Sequence, residues 1–423
     1  MQVQQKATHI QSFGGLNFIN AYLNANKFQS IVTGHLGQRS IIARYSYADL
    51  LRQLFFLAAI NGNTLDECNV LKEQLKDHPE LRIASPDTIE YAFQELRQKT
   101  KLVTTEKGIC HQSNEHKAFN ELLANLCSSL SLIKPGTPCT MDYDGHITEN
   151  TKNDNTFTYK QTEGYYPVVC SINKLPVYMQ NRNGNTPESY GQKGIIQQAI
   201  DNCNKKGITV NTFRADACCY QKETIEYLET QNISYYIRAE HCQRLIDALS
   251  DEPQWETVML GNRKVEVCSI EEVVLGKARR IVAYRYKQSG QLDIFNQSMY
   301  RYYAIVTSEQ NCSPKECIET YNQRGCDGEH HFKEFDYDFN WTKLPFDNME
   351  MNTVYMYAML VAYILFNAVK MAYAQKLQFV KPEMRIKSFI LHFVTLPAKW
   401  VKTGRQWILK IFTTKDYSPL FVT

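Results

Sequence analysis

The sequence has little of what marks the specialised protein classes. No two cysteines stand at the two-residue spacing of a zinc site. The 13 cysteines are odd in number and spread over 423 residues, so a disulfide scaffold is not indicated and a reducing compartment is the simpler setting. The first ten residues lack the apolar core of an export signal. No internal repeat or low-complexity tract appears, which argues against a solenoid and against disorder. Charge of one sign is also scarce: a formal net charge of +3 names no partner by itself. The most apolar stretch, residues 353–369, falls short of the roughly 20 residues that span a bilayer. It also carries Tyr355, Tyr357, Tyr363 and Asn367, and it reads as a buried helix rather than a membrane segment.

What is present is ordinary in bulk and uneven along the chain. Hydrophobic residues make up 43% and charged residues 22%, as in a soluble globular protein. The length predicts about two to three domains. Apolar positions recur at helical spacing over residues 47–61, and Gly62-Asn63 stops them. A second helix is expected over 64–75. Ser85-Pro86-Asp87 supplies a cap and a first-turn proline for a helix over Pro86–Leu96. Short helices on tight turns suit a helix-turn-helix DNA reader and, equally, a helical packing or dimerisation domain.

From Pro138 the period changes to that of strands, over 139–147, 166–172 and 175–180. A helix at 192–206, a strand at Thr209–Ala215, a helix at Lys222–Thr230 and a strand at 234–237 follow. That order predicts an α/β fold with an RNase H-like mixed-sheet core. Residues 243–308 interrupt it with β-rich sequence, at 264–269, 280–286 and 302–306, read as an inserted sheet. A helix over 314–335 and the apolar helix come next. The expected division is a helical, DNA-binding region at 1–135, catalytic core at 136–242, β-rich insertion at 243–308, the rest of the core at 309–375, and a basic region at 376–423. Across 376–415 the lone acid is Glu383 against nine cations. Trp400, Lys402, Arg405, Trp407 and Lys410 there suggest an amphipathic helix that touches phosphates, or a membrane surface.

Three segments could carry chemistry. In Thr140-Met-Asp142-Tyr-Asp144-Gly145 a strand puts both aspartates on one face, because strand side chains alternate. In Phe213-Arg214-Ala215-Asp216 a mostly apolar strand ends in an acid, which a helix cap would also explain. In the stretch from Tyr321 to Glu334, Tyr321 and Arg324 share a helix face and Glu329 pairs in spacing with Lys333, which a solvated salt-bridged face would also explain. Together, Asp144, Asp216 and Glu329 supply the hard oxygen ligands that divalent cations prefer, and phosphoryl transfer gains most from two such ions.

With these residues in view the chain resembles the DDE transposases of bacterial insertion sequences, in the group with a Tyr-x-x-Arg-x-x-x-Glu signature. The matching segments are Met141-Asp142-Tyr-Asp144-Gly145, Gly164-Tyr-Tyr-Pro167-Val168, Asn181-Arg-Asn-Gly184-Asn185, Arg214-Ala-Asp216, Tyr236-Ile-Arg238-Ala239 and Tyr321-Asn-Gln-Arg324-Gly325. The resemblance implies an RNase H-like domain with a β insertion before the last acid and cutting at element ends that depends on Mg²⁺, with Mn²⁺ able to substitute. It further implies a homodimer on double-stranded DNA, both terminal repeats and target, in the bacterial cytoplasm with the nucleoid. It makes Asp144, Asp216 and Glu329 the catalytic and metal-binding acids, with Asp142 the alternative first ligand. Tyr321, Arg324, Lys333 and Arg214 become DNA contacts, and Trp255 in the insertion an aromatic for a flipped base.

The sequence departs from this pattern at Gly328, which occupies the family's Glu position, so that Glu329 comes one residue late. A π-bulge eased by Gly325 and Gly328 would return it to the Arg324 face. Two rival readings remain: a DNA-binding protein that has lost catalysis, and a DxD-type glycosyltransferase that uses only Asp142 and Asp144.

Overall fold

Serines open the helices that the sequence marks. Ser46 Oγ accepts from the Asp49 amide at 3.1 Å while Asp49 accepts from the Ser46 amide at 3.0 Å. Ser85 caps the helix beginning at Pro86, and Ser313 forms a second reciprocal box with Glu316. The computed structural model describes all residues except 2, 5–7, 241, 288–299 and 422–423, and of residues 326–331 the backbone alone.

Five helices come first: α1 (Gly15–Ala25), α2 (Phe28–Leu36), α3 (Tyr47–Ala58), α4 (Cys68–Gln74) and α5 (Pro86–Leu96). A hairpin, β1 (Lys101–Thr104) and β2 (Cys110–Asn114), leads into α6 (Lys117–Ser129). The core then runs β3 (Pro138–Gly145), the short strands β4 (Thr148–Glu149), β5 (Thr156–Phe157) and β6 (Glu163–Tyr165), β7 (Val168–Ile172), β8 (Leu175–Arg182), α7 (Gln192–Lys205), β9 (Thr209–Ala215), α8 (Lys222–Thr230) and β10 (Ser234–Arg238). After α9 (Gln243–Asp251) come β11 (Glu256–Leu260), β12 (Arg263–Val274), β13 (Lys277–Lys287) and β14 (Tyr300–Thr307). The chain ends with α10 (Pro314–Asp338), α11 (Met349–Ala374), α12 (Ile386–Phe389), β15 (Ala398–Thr403) and β16 (Gln406–Ile411).

The fold is α/β, and its largest sheet has 11 strands in the order β1-β2-β8-β7-β3-β9-β10-β14-β13-β12-β11. Strand β3 runs parallel to β9, and β9 parallel to β10. Strand β7 is antiparallel to both β3 and β8. The strands β8, β3, β9 and β10 therefore all point the same way, and the connections leaving them emerge at one edge. The insertion is not a separate sheet. Strand β14 pairs antiparallel with β10, so the inserted strands prolong the core sheet.

Helix α11 is long and apolar enough to cross a membrane, but 89% of its most apolar window is buried. Its Tyr357 hydroxyl donates to the Met179 carbonyl of β8, and Leu54 and Phe55 of α3 belong to the same core as Met356 and Leu360. The amino-terminal helices thus share one continuous core with the sheet, and each fully buried large apolar side chain in it contributes about 1.5–3 kcal/mol.

Two sequence expectations fail. The basic tail is not an amphipathic helix. Lys402 pairs with Trp407 and Val401 with Ile408 across the β15–β16 hairpin, and Gly404 sits at φ 60° in the turn. Trp400, Val401, Thr403, Trp407, Ile408 and Ile411 are strand formers, and a glycine turn sets their register. Nor does α10 contain a π-bulge: it is α-helical from end to end. A side chain at Gly325 would meet nothing within 4 Å, so no crowding extrudes a turn there. A π turn occurs instead at Ile390–Val394.

Candidate acidic site at the sheet edge

The β3–β9 register sets Asp142 directly opposite Arg214. Both Asp142 oxygens accept from that guanidinium at 2.7 Å, and the carboxylate is 2% exposed. A third nitrogen donor, Nη1, reaches the Thr320 carbonyl of α10 at 3.0 Å. Arg214 therefore clasps β3, β9 and α10 together. It is buried rather than turned to a DNA surface, and Asp142 is its partner rather than an open metal ligand. The glycosyltransferase reading loses its first carboxylate by the same contact.

Two residues further along each strand stand Asp144 and Asp216, on the same face by alternation and at the edge where the parallel strands end. Asp144 keeps 20% side-chain exposure and meets Arg324 Nη2 at 3.1 Å. Burial pushes its carboxyl up to about 7; Arg324 opposes the shift, and the charges of Glu188 and Asp216 add to it. Asp216 accepts from the Cys218 amide at 2.8 Å, so it does cap the following turn, but the same carboxylate faces Glu188. Helix α10 is fixed over this edge a second time, by His146 Nε2 against Asp336 at 2.8 Å and by His146 stacking on Phe332.

Glu188 escaped the sequence reading. It lies in the loop between β8 and α7, at the edge shared with Asp144 and Asp216. The fully buried Arg182 shapes that loop, donating to the carbonyls of Pro187, Glu188 and Tyr190 at 2.8, 3.2 and 2.7 Å. The Tyr143 hydroxyl donates to the same Glu188 carbonyl at 2.7 Å, and the Tyr166 hydroxyl to its Oε2 at 2.8 Å. Ligand atoms of Glu188, Asp216 and Cys218 lie within 4.8 Å of one another. Burial, then the Asp216 charge, raises the Glu188 carboxyl above its usual range. Gly145 makes the room: a Cβ there would stand 2.7 Å from Glu188 Cδ. The available signal was the Asn181-Arg-Asn-Gly184-Asn185 segment, whose Arg182 and tight turn present the acid that follows.

Of the other expected residues, Tyr321 is partly buried, packs against the core of the insertion, and has Arg324 and Arg238 as charged neighbours. Lys333 is exposed on α10, and Lys402 and Arg405 are exposed on the terminal hairpin. Trp255 lies under the Arg285 guanidinium at 4.0 Å, with its indole N–H donating to the Glu252 carbonyl. The side chain of Glu329 is outside the described residues. An uninterrupted α-helix turns roughly 100° per residue, which sets position 329 roughly 140° around the axis from Arg324.

The oxygen-rich donor set, with charge facing charge under burial, fits a hard divalent cation. A family model described as transposase DDE domain group 1 matches residues 1–423. No curated protein matches the chain. Among solved structures it is similar to a piggyBac transposase in a synaptic complex with hairpin DNA, at TM-score 0.41 and 10% identity, over 90% of this chain and 78% of that one.

Proposed function

The chain belongs to the transposase DDE domain group 1 family, and from that premise we propose that it cuts DNA at the ends of a mobile element and joins the freed 3′-hydroxyl to target DNA. The observation that carries this reading is the pair Asp144 and Asp216 at the ends of adjacent parallel strands, with burial, and then the charges of Glu188 and Asp216 against the opposing Arg324, pushing the Asp144 carboxyl up to about 7. Asp144 and Asp216 are the proposed holders of Mg²⁺, for which Mn²⁺ can substitute, and Glu329 is a third holder only if α10 departs locally from the uninterrupted helix that sets position 329 away from Arg324. When bound, such ions lower the pKa of the attacking hydroxyl and neutralise charge on the leaving oxygen.

The chain's own groups do the rest. Arg324 is held beside the acids by Asp144 at 3.1 Å, where it can meet a phosphate bidentately once that carboxylate engages a cation. Tyr321 flanks it, and Lys333, Lys402 and Arg405 supply point charges to the backbone of bound DNA. Two copies acting on paired ends complete the proposal, with Trp255 available to a displaced base if Arg285 moves aside.

The test is nicking of end DNA in Mg²⁺ by Asp144→Asn, Asp216→Asn and Glu329→Gln proteins. Asp144→Asn and Asp216→Asn should each cost on the order of 10³-fold or more in rate while mobility shifts on the same DNA persist, and an equal loss in Glu329→Gln would make that acid the third holder. Nicking that survives in the Asp216→Asn protein would remove the reading.

A further inference from the structure

We propose that Glu188 is itself a ligand of the divalent cation at Asp216, an additional carboxylate beyond Asp144 and Asp216. The inference rests on the transposase reading and deepens its site.

Glu188 is 8% exposed, Oε2 accepts from Tyr166, and Oε1 has no nitrogen or oxygen donor, the weak Cys218 thiol being the remaining donor beside the carboxylate. A buried carboxylate oxygen without a strong donor is destabilising, and a second carboxylate within 4.8 Å adds repulsion. A fold tolerates that arrangement when something absent from the bare chain answers the charge. The surroundings are built to hold the group there: Arg182 and Tyr143 fix its backbone, Tyr166 its outer oxygen, and Gly145 the space it fills. Asp216 is arranged the same way, with Oδ1 held by the Cys218 amide. Each carboxylate is thus anchored through one oxygen. Cys218 adds a sulfur, but a hard cation prefers the oxygens, so the thiol is a neighbour rather than a ligand.

The strand directions explain why an acid after β8 can join acids after β3 and β9. All three strands run the same way, and their following loops meet at one edge.

The experiment is Mn²⁺ titration of the full chain by calorimetry, with thermal midpoints taken with and without the metal. Glu188→Gln and Asp216→Asn should each weaken Mn²⁺ binding about tenfold or more. The metal-free Glu188→Gln protein should melt at or above the wild-type temperature, because a bare charge has gone, and the rise on adding Mn²⁺ should shrink. Glu188→Asp, which keeps the charge but withdraws it by one methylene, should also bind more weakly. Wild-type affinity in both Glu188 variants, with affinity lost in Asp216→Asn, would overturn this inference and leave the transposase reading standing. A Glu188→Gln protein that no longer folds, beside a Glu188→Asp protein of wild-type affinity, would make the residue structural and overturn it as well. Absence of Mn²⁺ binding in the wild type would remove both.

Discussion

On the β3–β9 side of the large sheet the buried charges other than Glu188 are answered by particular neighbours: Asp142 by Arg214, Asp144 by Arg324, and Arg182 by three loop carbonyls. On the β12–β14 side cations lie over rings instead. Arg263 covers Tyr286 at 4.3 Å, Arg285 covers Trp255 at 4.0 Å and Tyr300 at 4.3 Å, and Arg301 approaches Tyr303 at 5.4 Å. The two halves are one sheet, joined edge to edge by β10 and β14. What differs is tolerance. A buried ion pair fails when either member leaves, whereas a guanidinium on an aromatic face near solvent gives up little and can be borrowed by a phosphate. The core half is built to hold geometry, and under the proposed function the inserted half is the one whose cations a phosphate can borrow.

The largest effect that would sharpen this contrast lies at Arg214. Replacing it with Met takes the guanidinium away from the buried Asp142 carboxylate, and should destabilise the protein by about 3–5 kcal/mol in chemical denaturation. Adding Asp142→Leu to that variant should recover most of the loss, because an apolar pair of similar size has no charge to desolvate. A double variant as unstable as the single would mean that Arg214 acts mainly by tying α10 through the Thr320 carbonyl.

A smaller effect is expected where the halves meet. Glu229 of α8 receives Arg279 of β13 at 2.8 Å, Lys277 at 2.9 Å and the Tyr235 hydroxyl at 3.0 Å. Burial alone would raise its carboxyl, but those hydrogen bonds and the Arg279 charge outweigh it and hold it at about 2. The folded value lies below the unfolded one of 4.5. The contact therefore stabilises fully above pH 4.5 and loses its contribution as pH falls towards 2. Solvent screening around the carboxylate limits the contribution to about 1–2 kcal/mol. Glu229→Gln should flatten the acid limb of the stability curve over that window. An unchanged limb would show that the junction is held by strand pairing alone.

The same contrast explains what could be read from the sequence. Local signals were enough for Thr209–Ala215 ending in Asp216, for the start of α10 at Pro314, and for the buried α11. Each depends on a few neighbouring residues and on periodicity. The Asp142–Arg214 clasp joins residues 72 apart, and nothing local distinguishes that aspartate from Asp144 two residues on. Glu188 stayed hidden because its role comes from strand direction, which decides at which edge a loop emerges, and not from any spacing. The terminal hairpin was misread because basic and aromatic residues fit a helical face and a strand face alike over so short a run. There the φ of 60° at Gly404 settles the turn. The hairpin β1–β2 carries exposed residues without clean alternation, and it escaped notice for that reason.

The smallest expected effect is the one most able to break the comparison. Arg285 touches two rings and reaches Glu266 at 2.6 Å, so like Arg214 it ties several groups together. Its neighbourhood differs, because Glu266 keeps 34% side-chain exposure and stays hydrated when the cation is removed. Arg285→Ala should therefore cost no more than about 1 kcal/mol of stability. The slope of DNA affinity against salt should fall by about one, as one cation is withdrawn from the phosphates. A loss approaching that of Arg214→Met would mean that the ring-stacked cations hold the inserted strands together, and that half of the sheet would then be as intolerant as the core.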